Sequence, residues 1–250
     1  MQNPHLQYVY RLADNALILG QRLSEWCGHG PVLEQDIAIT NIALDQVGQA
    51  RTLFLYAAEL EGKGRSEDDL AYLRDAHQYF NLLLVEQPNQ DWAHTMIRQL
   101  LFDAFNFYFY QSLLKSKDAN LAAIAEKAIK EITYHLRFSS EWVIRLGDGT
   151  ALSHDKMQEA LNNLWPFSGE LCNPDKLDLA MLEQGIGVDL LAIKPLFEAK
   201  VQAILKEATL QIPENDWMQK GGKQGIHTEH LGFLLAEMQF LQRAHPGATW

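Results

Sequence analysis

Between Leu121 and Leu146 the positions Leu121, Ile124, Ala125, Ala128, Ile129, Ile132, His135, Leu136, Trp142, Val143 and Leu146 step by threes and fours over about seven turns. A strand alternates with a period of two, so this spacing commits the segment to an amphipathic helix. The run stops at Gly147-Asp148-Gly149, a helix terminator and turn. The rest of the chain reads the same way. Prolines at positions 4, 31, 88, 166, 174, 195, 213 and 246 separate stretches with helical spacing, and extended alternation is hard to find.

Four long helices are expected: about Tyr8 to Trp26, closed by Gly28-His29-Gly30; about Leu33 to Glu61, closed by Gly62 and Gly64; Trp92 to about Leu114, with Asp91 as N-cap; and the 121–146 helix. On the second, Ile37, Leu44, Val47, Phe54, Leu55 and Ala58 are read as the core stripe. Shorter helices are expected from Ser153 to about Leu164, Pro174 to about Gln184, Lys194 to about Leu210 and Thr228 to about Arg243. Pro213 to Gly225, with Lys220-Gly221-Gly222-Lys223 at its tip, reads as a surface loop. The expected fold is all-α: a single ferritin-like domain over residues 1–250, a four-helix bundle with additional shorter helices.

The charge balance excludes several partners. With 21 basic against 32 acidic residues the net charge is −11, which disfavours nucleic acid and anionic membranes, both held by cationic surfaces. The first fifteen residues, MQNPHLQYVYRLADN, show no secretory pattern, and the longest aliphatic runs, such as Leu82 to Val85, fall far short of the roughly 20 residues of a membrane span. A cytoplasmic protein with reduced Cys27 and Cys172 is expected.

Bundles of this kind can hold two irons through inward carboxylates and two Glu-x-x-His pairs on different helices. Here the fourth helix offers Glu131-Ile132-Thr133-Tyr134 with His135 one position late, a rotation of about 100°. The second helix offers Asp45-Gln46-Val47-Gly48, with glycine where histidine is needed. The acid-x-x-His spacing does occur at Asp91-Trp92-Ala93-His94, where Asp91 serves as the cap, and His227 and His230 suit a helix entry or an interface better than a metal. Asn41, Asp45, Gln49, Asp103, Glu131 and His135 are therefore expected to form a buried, metal-free polar network, with Arg51 and Arg137 as cationic partners. No metal ligand and no catalytic residue is assigned. In Phe102-Asp103-Ala104-Phe105-Asn106-Phe107-Tyr108-Phe109-Tyr110 aromatics surround the helix, so every face must be covered, either by the bundle itself or by another subunit.

Taken together, Gln21-Arg22-Leu23-Ser24-Glu25-Trp26-Cys27-Gly28-His29, Gly48-Gln49-Ala50-Arg51, Asn81-Leu82-Leu83-Leu84-Val85-Glu86-Gln87-Pro88-Asn89, Tyr134-His135-Leu136-Arg137 and His227-Thr228-Glu229-His230-Leu231-Gly232 resemble the C-subunit family of phenylacetyl-CoA epoxidase, the PaaC family. The resemblance runs from the first helix to the last. It implies a structural, non-catalytic subunit of an NADPH-dependent monooxygenase complex of aerobic phenylacetate catabolism. Such a chain binds a catalytic A subunit that carries the di-iron centre, and holds no cofactor of its own. It also implies that Gln78, Tyr79, Phe80 and Asn81, and Leu179, Ala180 and Met181, touch phenylacetyl-CoA. Coenzyme A is anionic, and Lys220 with Lys223 or Lys127 with Lys130 are the modest basic clusters available for it. Self-association stays open, as do two alternatives: a ferritin-like enzyme with an iron site of Asp45, Glu131 and His135, or an all-α interaction module of another complex.

Overall fold

The computed structural model describes residues 3–214 and 217–248. Ten α-helices, and no strand, occur among the described residues. The all-α expectation holds and is consistent with a ferritin-like helical bundle. The chain forms two compact units, one made of the described residues up to Pro88 together with those from Gly221 onward, the other running from Asn89 to Lys220.

In the first unit α1 (Pro4–Ser24) and α2 (Leu33–Glu61) are joined by a short turn and pack against each other along their length, hence antiparallel. Asn3 caps α1, its side chain accepting from the His5 amide at 3.0 Å, and Pro4 supplies the first helical position. Gly62, at φ 64°, ends α2. The short α3 (Glu67–Tyr72) was not anticipated, although Ser66 and Asp69 form the capping box that announces it. An apolar, buried stretch from Tyr79 to Val85 follows without regular structure. The expected final helix divides into α9 (Glu229–Met238) and α10 (Phe240–Ala244) at Gln239. That side chain is buried and donates to the Arg74 carbonyl and the Tyr79 hydroxyl, both at 2.9 Å.

The second unit is built on α4 (Trp92–Leu113) and α5 (Ala119–Gly147), antiparallel across a short loop. Asp91 caps α4, accepting from the His94 amide at 3.0 Å, and Asp118 caps α5. α6 (Ala151–Leu164) and α8 (Leu190–Glu207) pack on both, and α7 (Lys176–Glu183) precedes α8. α8 starts four residues earlier than expected because Asp189 caps it. Pro195 therefore sits inside the helix, and the Leu191 carbonyl that it leaves without a helical donor belongs to an exposed residue.

Two expectations are corrected. The core-facing residues of α2 are Ile39, Ile42, Ala43, Gln46, Gln49, Ala50, Leu53, Phe54 and Ala57, whereas Ile37, Leu44 and Leu55 are exposed. This helix is apolar on two sides, and periodicity cannot tell which side faces the core. The glycine tip is not at the surface either: Gly221, Gly222 and Lys223 are buried, and a Cβ at Gly222 would fall on the Asn81 carbonyl. Asn215 and Asp216 of the same expected loop lie outside the described residues.

Candidate functional site

The first unit holds its chemistry in a buried ionic network that spacing along the sequence does not reveal. Asp14 projects from α1 within an apolar run and is fully buried. It accepts from both terminal nitrogens of Arg74, one of them at 3.2 Å, and from the Phe80 amide at 2.9 Å. The guanidinium donates further to the Leu70 and Gln78 carbonyls. It lies over the rings of Tyr79 at 4.2 Å, Tyr10 at 4.9 Å and Phe54 at 5.2 Å. Burial opposes its charge, but the charge and hydrogen bonds of Asp14 outweigh that, so Arg74 stays protonated above its ordinary range.

A second buried carboxylate, Glu86, closes the apolar run Leu82-Leu83-Leu84-Val85. Its Oε2 accepts from Asn81 Nδ2 and His227 Nδ1, both at 2.8 Å. Its Oε1 accepts from the Thr228 amide at 2.7 Å and the Thr228 hydroxyl at 2.8 Å. His227 Nε2 donates to the Tyr79 carbonyl at 2.9 Å. Both ring nitrogens face acceptors, an arrangement that favours the doubly protonated, positively charged imidazole. Burial works against that charge, but Glu86 and the Tyr79 carbonyl prevail and raise the pKa. Arg22 clamps the same place, donating to the Glu86 carbonyl at 2.9 and 3.0 Å and to the His230 carbonyl at 3.2 Å. His227 thus has the helix-entry role, as the pin that holds the start of α9 to the 79–88 segment. An acid within an apolar run, at Asp14 and at Glu86, was the legible signal; the partners, up to 142 residues away along the chain, were not.

Of the six residues expected in a polar core, Gln49, Asp103 and His135 are buried, and Asp45 and Glu131 are half-buried. Asn41 is exposed, because it shares the outer face of α2 with Leu44. In the second unit Ser139 donates to Asp103 at 2.8 Å. Burial pushes the Asp103 pKa up to about 6, with the nearby His135 and the Ser139 hydroxyl only partly opposing it. The expected cations do not serve this core. Arg51 is exposed and bridges to Glu67 at 3.2 Å, and exposed Arg137 lies over the Tyr134 ring.

These residues do not suit a di-iron centre. Gly48 offers no ligand, Tyr134 is exposed, and no cluster of three or more His, Cys, Asp or Glu side chains suited to a metal occurs among the described residues. Asp91 and His94 are occupied with each other, His94 Nδ1 lying 2.8 Å from Asp91 Oδ1.

The first expected ligand group sits at a cleft of about 730 Å³ in the first unit, lined in part by Leu6, Tyr10, Lys63, Arg65, Gln78 and Phe80. Arg65 donates to both oxygens of Glu61, and Lys63 reaches Glu61 at 3.3 Å, so two cations share one carboxylate on this wall. Tyr79 and Asn81 are fully buried and hydrogen-bonded within the protein: the Tyr79 hydroxyl donates to the Ala71 carbonyl at 2.5 Å, and Asn81 bonds to Glu86. The second group lies on α7 in the second unit, with Leu179 exposed, Ala180 half-exposed and Met181 buried. Of the basic clusters expected to meet an anion, Lys127 and Lys130 are exposed, but Lys223 is buried apart from exposed Lys220. Lys63 and Arg65 lie on the turn after α2, in Gly62-Lys63-Gly64-Arg65, a linker with two glycines that carries no periodicity to mark them.

A family model described as phenylacetic acid catabolic protein matches residues 1–250. The chain is also 54% identical over 243 residues to the C subunit of 1,2-phenylacetyl-CoA epoxidase from Escherichia coli strain K12, covering 97% of this chain and 98% of that protein. No helix among the described residues is long and apolar enough to cross a membrane.

Proposed function

The chain belongs to the phenylacetic acid catabolic protein family, and from that membership we propose that it serves phenylacetyl-CoA epoxidation as a structural, non-catalytic subunit, acting as a single ferritin-like domain that binds and stabilises a di-iron catalytic A subunit. The observation that carries this reading is the state of the buried carboxylates. Asp14 is spent on Arg74, Glu86 on His227, Thr228 and Asn81, and Asp103 on Ser139. Such groups are committed to holding the chain together and are not presented to a metal or a substrate.

Contact with the thioester is part of the proposal. Gln78 at the Lys63–Arg65 cleft, whose wall the buried Phe80 lines, and Leu179 and Ala180 on α7 are the members of the two expected groups nearest the surface. Cations beside an apolar wall suit a ligand with both a phosphate-bearing and an apolar part. Tyr79, Asn81 and Met181 support these contacts from below.

Co-expression with the A subunit, followed by elemental analysis of the chain alone and of the complex, tests the reading. The expected result is co-purification, with iron following the A subunit only. Two irons per copy of the isolated chain, or failure to bind the A subunit, overturns it.

A further inference from the structure

The second helix has an outer face left open by the described residues around it. Leu33 is 70% exposed, Ile37 54%, Leu44 63% and Leu55 43%. At about 100° per residue these four fall within a sector of about 40°, a straight apolar stripe about 33 Å long. A stripe of this extent on a regular helix marks an interface. Gly48 lies on the same stripe, in the middle of the helix, where glycine is a poor helix former. A Cβ there would meet nothing within 4 Å, so no contact among the described residues accounts for the missing side chain. A bare backbone on an outer face lets another helix approach closely.

The charges indicate what covers the stripe. Glu34, Asp45 and Glu59 project along one flank, and Arg51, the cation on the stripe, is engaged by Glu67. In an antiparallel pair of identical faces that flank would meet its own copy, carboxylate against carboxylate. A helix from a different subunit, with an apolar stripe bordered by lysine or arginine, meets no such repulsion.

We propose that the outer face of α2, formed by Leu33, Ile37, Leu44, Gly48 and Leu55, is the docking surface for a basic-flanked amphipathic helix of the catalytic A subunit. This rests on the proposed function in one respect, the identity of the partner. The close approach at Gly48 sets the spacing of the two helices, and the acidic flank fixes their register.

Affinity between the full chain and the A subunit, measured by sedimentation or calorimetry, tests it with two variants. Leu44→Glu should weaken binding by about 30-fold or more, the loss typical of a central interface position. Gly48→Met should weaken it by about tenfold while leaving the melting temperature of the isolated chain unchanged or higher, because the new side chain enters open space and favours the helix. That combination cannot come from misfolding. Wild-type affinity in both variants overturns the docking surface and leaves the proposed function standing. A wild-type chain that fails to bind the A subunit overturns both. A stable homodimer of the isolated chain that Leu44→Glu dissolves shows that the occupant is a second copy, and overturns the assignment to the A subunit.

Discussion

Both units bury carboxylates, but they stabilise them differently. In the first, Asp14 and Glu86 each face a buried cation, Arg74 and His227, and each is further bound by backbone amides or neutral donors. In the second, Asp103 accepts from a neutral hydroxyl, and its pKa rises to about 6. Burial pushes both the Asp14 and the Asp103 carboxyl up, and the units differ in what opposes it: a hydrogen-bonded guanidinium at Asp14, a nearby imidazole and a hydroxyl at Asp103. The first unit should therefore lose most when the cation of a pair is removed, the second when pH crosses the raised pKa of Asp103.

The largest expected effect comes from breaking the first kind of site. Arg74→Met takes from fully buried Asp14 the cation that opposes the upward push of burial on its carboxyl, and empties the place between the Tyr10, Phe54 and Tyr79 rings; it should cost about 3–5 kcal/mol of unfolding free energy. Replacing Asp14 by Asn in the same chain should recover part of that loss. Urea titration of the single and double variants checks both. Equal losses in the two would mean that the charge pair is not what Arg74 contributes.

Asp103 should show its effect in the pH dependence of stability. Its folded pKa of about 6 lies above the ordinary 3.8, so between those values the folded state holds more protons than the unfolded state. Stability should then fall as pH rises from about 4 to 6 and level off above, by up to about 3 kcal/mol in all. Asp103→Asn should flatten that slope, raising stability near pH 7 and changing it little at pH 4. Melting curves of both proteins across pH 4–7 decide it, and parallel slopes would remove Asp103 as their source.

His227 tests the first unit from the side of pH. Its raised pKa means that the imidazolium contribution is fully present below the ordinary 6.5 and is lost as pH climbs through the folded value. His227→Gln should thus cost about 2 kcal/mol near pH 6, the worth of a hydrogen bond to a charged group, and less near pH 9. Because His227 pins α9 to the 79–88 segment, amide exchange at the start of α9 should speed up in the variant. A cost independent of pH would show that shape, not charge, is what the residue supplies.

Helix positions were legible wherever the chain marks its own ends: Leu33–Glu61 follows from Pro31 and Gly62, and Asp91 announces α4. Orientation was not. On α2 the spacing of Ile37, Leu44 and Leu55 is as regular as that of Ile39, Ala43 and Leu53, so a helix with two apolar faces gives no sign of which one is buried. Taking the outer stripe as the core also places Asn41 inside, where it is not. The candidate site escaped for another reason: Glu86 meets His227 and Thr228 through tertiary packing across more than half of the chain, which no local pattern encodes. The near-misses of the metal motif were readable because they are local, with Gly48 and Tyr134 at fixed offsets from Asp45 and Glu131.

The same error of orientation supplies the smallest expected effect and the sharpest contrast with Arg74. Spacing alone offered Arg51 as a cation for the polar core, but it lies 70% exposed on the outer side of α2 with Glu67 at 3.2 Å. Coulomb attraction there is screened by water and offset by the entropy of fixing a long side chain, so Arg51→Ala should change the stability of the isolated chain by less than about 0.5 kcal/mol. Two arginines in one unit, each paired with one carboxylate, should then differ about tenfold in their worth, because burial decides whether an unmatched partner can return to water. If Arg51→Ala instead costs as much as Arg74→Met in the urea titration, exposure is not what separates them, and the division between the buried network and the outer face of α2 falls with it.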